Sequence, residues 1–165
     1  MSLSAFDLVE RVRAYSPRAA NVLLERAIPL MIPLSSGLAV RVVDVADTRA
    51  ELRMPLRRRT RNHVGSMYFG AQMTLADLTA GVLIFRRFPP GPYGALIKRV
   101  EADFLAKAKT ELRCVCALDE EASKALDQVR TSADGKAEAW LPLELRDAED
   151  RLVTRVRFLG ALRRF

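Results

Sequence analysis

A chain of 165 residues, half of them hydrophobic and 28% charged, suits one globular domain and excludes a disordered or membrane-spanning composition. Lysine and arginine number 27 against 20 acidic residues, a net charge of +7 and a pI near 10.0, which favours phosphorylated or acidic partners and says nothing of fold. Histidine occurs once, at His63, which excludes a two-histidine metal site and leaves catalysis to carboxylates, hydroxyls, amides and backbone N–H groups.

Leu3, Phe6, Leu8, Val9 and Val12 recur at roughly helical spacing and predict a helix over residues 4–15, followed after Pro17 by a second over 18–27. Asp7 and Glu10 interrupt the first apolar stretch, unlike a secretory signal. Residues 27–40 are uncharged but broken by Pro29, Pro33 and Gly37, too short to span a bilayer and expected to form a loop. A valine-rich strand over 37–46 and an alternating strand over 48–56 then predict a hairpin, with Ala50, Leu52 and Met54 inward and Arg49, Glu51 and Arg53 outward. Residues 69–85 change period and are apolar almost all round, the signature of a wholly buried helix, which Pro89-Pro90-Gly91-Pro92 ends.

Strands resume with Val100, Ala102, Phe104 and Ala106 alternating against Arg99, Glu101, Asp103 and Lys107, and with residues 111–118. Cys114 and Cys116 would share one face of that second strand, too divergent for an easy disulfide, and read as buried thiols of a reducing cytoplasm. Asp119 is placed to cap a helix over 119–131 with Ala122, Ala125, Leu126 and Val129 inward, stopped near Gly135. Two further strands cover residues 139–145 and 152–159. Pro142 predicts that its strand is an edge, or that its missing N–H faces no partner. The order is a helical cap and loop over 1–36 and a core over 37–165, one domain, with an α+β arrangement of about six antiparallel strands around the buried helix and one inserted helix.

The segment from Asn62 through Gly65, Met67, Tyr68, Phe69 and Gly70 is a glycine-containing loop running into the N-terminus of that buried helix. The first helical turn has unpaired N–H groups and a positive dipole end, which suit a developing oxyanion. Asp77 lies two turns on, among Leu75, Ala76 and Leu78, where desolvation raises a carboxylate pKa and prepares it as a general base or nucleophile. Read alone, Asn62 is an ordinary turn residue, Asp77 a loop cap or ion-pair partner, and His63 a loop or interface residue.

This spacing resembles the hotdog-fold thioesterases, in particular the phenylacetate-pathway (PaaI-type) branch and its relatives of unknown function. Their pattern runs Asn, a Gly three on, His-Gly-Gly starting six on, and an Asp nine after that His. Asn62, Gly65, Tyr68-Phe69-Gly70 and Asp77 fall at those intervals, and the resemblance covers roughly residues 37 to 162. It implies a hotdog fold and hydrolysis of an acyl thioester. The backbone N–H of Phe69, at the turn with Gly70, would polarise the carbonyl, Asn62 would hold carbonyl or water, and Asp77 would activate the water or attack directly. It further implies a site shared between the chains of a homodimer, or of a dimer of dimers. Tyr68 stands where the family has His, Phe69 replaces its first Gly, and Arg99 stands near where many members carry Ser or Thr.

On this reading the acyl chain lies among Met67, Tyr68, Met73 and apolar strand residues. Arg57, Arg58, Arg59 and Arg61 are either a solvated strand end or a contact for coenzyme A phosphates or an acidic acyl carrier protein. No cofactor is expected beyond coenzyme A as part of the substrate. The alternative is a non-catalytic acyl-thioester sensor on the same fold, favoured by Tyr68 in place of His. A hotdog dehydratase would pair a histidine with a carboxylate, and His63 is poorly placed for that. A nucleic-acid module would bring a zinc, RNP-type or helix-turn-helix pattern, and none accompanies the charge.

Overall fold

The computed structural model describes residues 5–165, with side chains from residue 8 onward, so Leu3, Ser4 and the Phe6 side chain lie outside the described residues. The elements are α1 (Ala5–Tyr15), α2 (Pro17–Met31), a 3-10 turn (Pro33–Ser35), β1 (Arg41–Val45), β2 (Arg49–Met54), α3 (Phe69–Arg87), β3 (Tyr93–Phe104), β4 (Leu112–Ala117), α4 (Glu120–Thr131), β5 (Lys136–Arg146) and β6 (Leu152–Arg164). All six strands join one antiparallel sheet in the order β1-β2-β4-β5-β6-β3.

Period-two alternation sets the register. Ala50, Leu52 and Met54 are fully buried on β2, as are Leu141, Leu143 and Leu145 on β5. These inward rows meet α3, whose Leu75, Leu78 and Leu83 complete the core. Burying each such side chain contributes roughly 1.5–3 kcal/mol, which is why the helix forms at this depth. On the outward row of β2, Glu51 is buried as well, because Arg49 (2.7 Å), Arg53 (3.5 Å) and Arg113 (4.0 Å) close over it. Arg86 and Arg87 complement the dipole at the C-terminus of α3. Arg87 bonds Asp127 of α4 at 2.5 Å, and Arg86 pairs with Glu10 and, at 3.2 Å, with Asp47 of the β1–β2 turn.

Three local expectations change. The second helix does not stop before Pro29 but runs through it to Met31. A proline this near a helix end removes one bond of the final turn, and the Ile32 N–H to Ile28 carbonyl bond (2.8 Å) closes the end. The strand carrying Pro142 is central rather than an edge. β4 pairs with it only from Leu143 to Arg146, so Pro142 stands one position beyond the last pair with β4, as the second of its two readings expects. The strand carrying Val100 begins at Tyr93, six residues before the alternating run that starts at Arg99, and Ala106 falls beyond its end.

That strand, β3, is also one of the two edges of the sheet, β1 being the other. Val100 and Phe104, expected inward, are about half exposed, and Leu96 is 78% exposed. The reason lies in the helix: α3 packs on β2, β4 and β5, and the β6–β3 wing projects past it.

Candidate active site

The loop before α3 is tied down at each step. Thr60, fully buried, accepts the Arg57 N–H (2.8 Å) and lies 3.0 Å from the Pro55 carbonyl. Its own carbonyl receives the Tyr68 N–H (2.7 Å), and the Met67 N–H reaches Ala108 (2.8 Å). Asn62 Oδ1 accepts from the N–H groups of Val64 (3.1 Å) and Ser66 (3.0 Å), an Asx turn that leaves its Nδ2 to donate elsewhere. Gly65 takes φ +75° at the turn, a conformation strained for other residues. A β-carbon at Gly70 would come within 2.7 Å of the Tyr68 ring, so only glycine lets that ring lie against the first turn.

Tyr68 is the N-cap of α3 and no side chain caps this terminus. The first-turn N–H groups, beginning with Phe69, therefore have no capping partner. Gln72 braces them from behind: buried, it donates to the Met67 carbonyl (3.0 Å) and accepts the Thr154 hydroxyl of β6 (2.6 Å). The sequence reading missed this pair; its signal is a lone amide among apolar positions of a buried helix.

Two clefts flank α3. One, about 580 Å³, is lined by Asn62, Met67, Tyr68, Phe69, His63 and Lys107, among others. The Tyr68 and Phe69 rings meet at 4.7 Å, and Phe69 stands edge-on to Phe104 at 6.4 Å. Arg57, Arg58, Arg59 and Arg61 are exposed on the same loop, and none of their side chains forms an ion pair with an acid among the described residues. Met73 lines neither cleft and packs against the core.

Asp77 opens into the other cleft, about 300 Å³, between α3 and the projecting β6–β3 wing. Its carboxylate has no hydrogen bond or ion pair among the described residues, and desolvation by the surrounding alkyl groups raises its pKa above the ordinary aspartate value although the residue is open at the cleft mouth. Phe69 and Asp77 are eight residues apart on one helix, about 12 Å along its axis. Within one chain, then, Asn62, Met67, Tyr68 and Phe69 are brought together and Asp77 is not. Arg99 is no part of either cleft; it pairs with Glu101 (3.1 Å) and lies with Arg157 over the Trp140 ring on the outer face. Among the described residues no group of three or more His, Cys, Asp or Glu is placed to hold a metal.

Comparison with known proteins agrees with this architecture. A Pseudomonas aeruginosa protein of unknown function, described as a probable thioesterase, is 29% identical over 87% of this chain and 95% of its own, with a TM-score of 0.77. A Haemophilus influenzae thioesterase (12% identical, 87% of this chain and 90% of its own, TM-score 0.68) and a variant of a second P. aeruginosa thioesterase (14%, 86% and 94%, TM-score 0.67) share the fold. No curated protein matches the chain in sequence. Residues 20–159 match the family described as a domain of unknown function, DUF4442. With its six strands around one buried helix, the chain belongs to that family and has the hotdog fold of the thioesterases.

Proposed function

We propose that the protein hydrolyses an acyl thioester in a site shared by two copies of the chain. The observation that carries this is Asp77: an unpaired carboxylate, raised in pKa by desolvation, at the mouth of an apolar cleft. Asp77 and the Phe69 N–H face different clefts, so one chain cannot bring both to one carbonyl. A second copy pairing antiparallel along the free β3 edge would set two α3 helices side by side in opposite directions, with the base of one beside the donors of the other.

In that site Asp77 takes a proton from water as the oxygen attacks the thioester carbon. The carbonyl oxygen gains negative charge against the Phe69 N–H at the helix N-terminus, with Asn62 Nδ2 as a further donor. Collapse of the tetrahedral intermediate breaks the C–S bond, the proton held by Asp77 passes to the departing sulfur, and thiol and carboxylic acid are released. The unpaired Arg57, Arg58, Arg59 and Arg61, with Lys107, suit the phosphates of coenzyme A or of a carrier-bound phosphopantetheine. Two buried free thiols fit a reducing cytoplasm. Among the described residues no helix is long and apolar enough to cross a membrane.

Asp77→Asn is expected to lower acyl-CoA hydrolysis by at least about a hundredfold, read as thiol release, with the melting transition retained. Equal activity of wild type and variant would remove Asp77 from the mechanism. The half-exposed Tyr68 and Phe69 rings crowd the donor terminus and favour a second reading, an acyl-thioester-binding protein without turnover. Saturable binding of acyl-CoA by calorimetry with no thiol released would select it.

A further inference from the structure

The cleft at Asp77 is longer than a reacting carbonyl requires. It follows one face of α3 from Asp77 past Ala80 and Gly81 to Phe85, about 12 Å of helix. Ala95 of β3 and Gly160 and Ala161 of β6 form the facing wall. Among the described residues of the lining, Asp77 alone has a polar side chain. Gly81, Ile32 and Phe85 also border a smaller void under α2, so the cleft has room to extend at that point. A β-carbon at Gly81 would meet no atom within 4 Å. A side chain placed there would project into open space rather than against a neighbour, at a helix-interior position where glycine is a poor helix former.

We propose that this cleft takes the tail of an unbranched, medium-length aliphatic acyl group, and that Gly81 sets the length accepted. The proposal rests on the thioester reading of Asp77. A hydroxylated or charged acyl group would give up its hydrogen bonds to water and find none on these walls. An alkyl tail gains with each methylene buried. The carbonyl sits at Asp77 and the methyl end passes Gly81 towards Ile32.

The test assays butyryl-, octanoyl-, decanoyl- and hexadecanoyl-CoA with wild type and with Gly81→Ala, Gly81→Val and Gly81→Leu, each checked by thermal melting. Wild type is expected to favour octanoyl- or decanoyl-CoA. The ratio of kcat/KM for decanoyl- over butyryl-CoA is expected to fall along the series, reaching about tenfold or more, the worth of roughly two buried methylenes. A ratio that stays level across the folded variants overturns the proposal while leaving the hydrolase reading intact, as does a wild type that prefers butyryl- or hexadecanoyl-CoA. If no thioester releases thiol, displacement of a fluorescent fatty acid by decanoic acid reads the same cleft. Binding weakened progressively by the Gly81 series then supports the cleft and removes the hydrolase reading. Binding that is absent, or indifferent to the series, overturns the cleft.

Discussion

At Asp77 the usual sources of carboxylate stabilisation are missing among the described residues: no cation, no N–H donor, and alkyl side chains on the facing walls. The consequence for stability has a definite sign. With its pKa raised by folding, the native chain holds this proton to higher pH than the unfolded chain does. Stability therefore falls as pH rises from the ordinary carboxylate range through the raised value, and is level beyond it. Asp77→Asn removes the penalty, so the variant should melt higher than wild type at neutral pH, the gap closing below about pH 3.5. Calorimetry at the two pH values checks this, and equal melting at both would mean that the carboxylate is not desolvated. Hydrolysis runs the other way, declining as pH falls through the raised pKa. Asp77 was legible in sequence because a charge among Leu75, Ala76 and Leu78 is conspicuous. Asn62 was legible as a turn residue, since its Oδ1 accepts from the N–H groups of Val64 and Ser66.

Elements written by local chemistry were read correctly, and those decided by neighbours were not. Asp119 Oδ1 accepts the Ala122 N–H at 2.7 Å, the cap expected from its place before an amphipathic run. Asp119→Ala should cost about 1 kcal/mol, measured as a lower denaturant midpoint with an unchanged slope. The β1–β2 hairpin and the burial of α3 followed equally from period and composition. Pro29 misled because its effect depends on how few helical bonds remain after it. Pro142 failed only in its edge alternative, because its tolerance is decided by where pairing with β4 stops, at Leu143, a fact held by residues distant in sequence. The start of β3 was hidden because Tyr93–Ala95 does not alternate, and is a strand because β6 pairs with it up to Arg164.

For the whole molecule the sequence announces a sheet around a helix but not the gap between them. The long cleft draws residues from α3, α4, β3, β5, β6 and the segment after α2, and no window of sequence contains it. The small residues Ala80 and Gly81 were visible as exceptions in an apolar helix, without a partner surface to give them meaning. The free edge is the larger consequence: β3, twelve residues long, pairs on one side only, a template for another strand. Wild type should sediment at twice the 18.4 kDa chain mass. Val100→Asp, in the middle of that edge, should sediment as a single chain that still unfolds cooperatively and has lost thioester hydrolysis. A monomeric wild type with full activity would contradict the shared site.

Cys114 and Cys116 sit on β4 with no accessible surface, between β2 and β5. Burial pushes the Cys114 thiol up to about 12 and the Cys116 thiol higher still, so almost no thiolate, the reactive form, exists at neutral pH. Chromogenic disulfide reagents that report released coenzyme A should thus find the native protein silent, giving the hydrolysis assay a clean baseline. Once β4 separates from its neighbours, the same reagents should find two thiols per chain. Their rate of reaction, followed without substrate, is then a direct clock for the opening of the centre of the sheet.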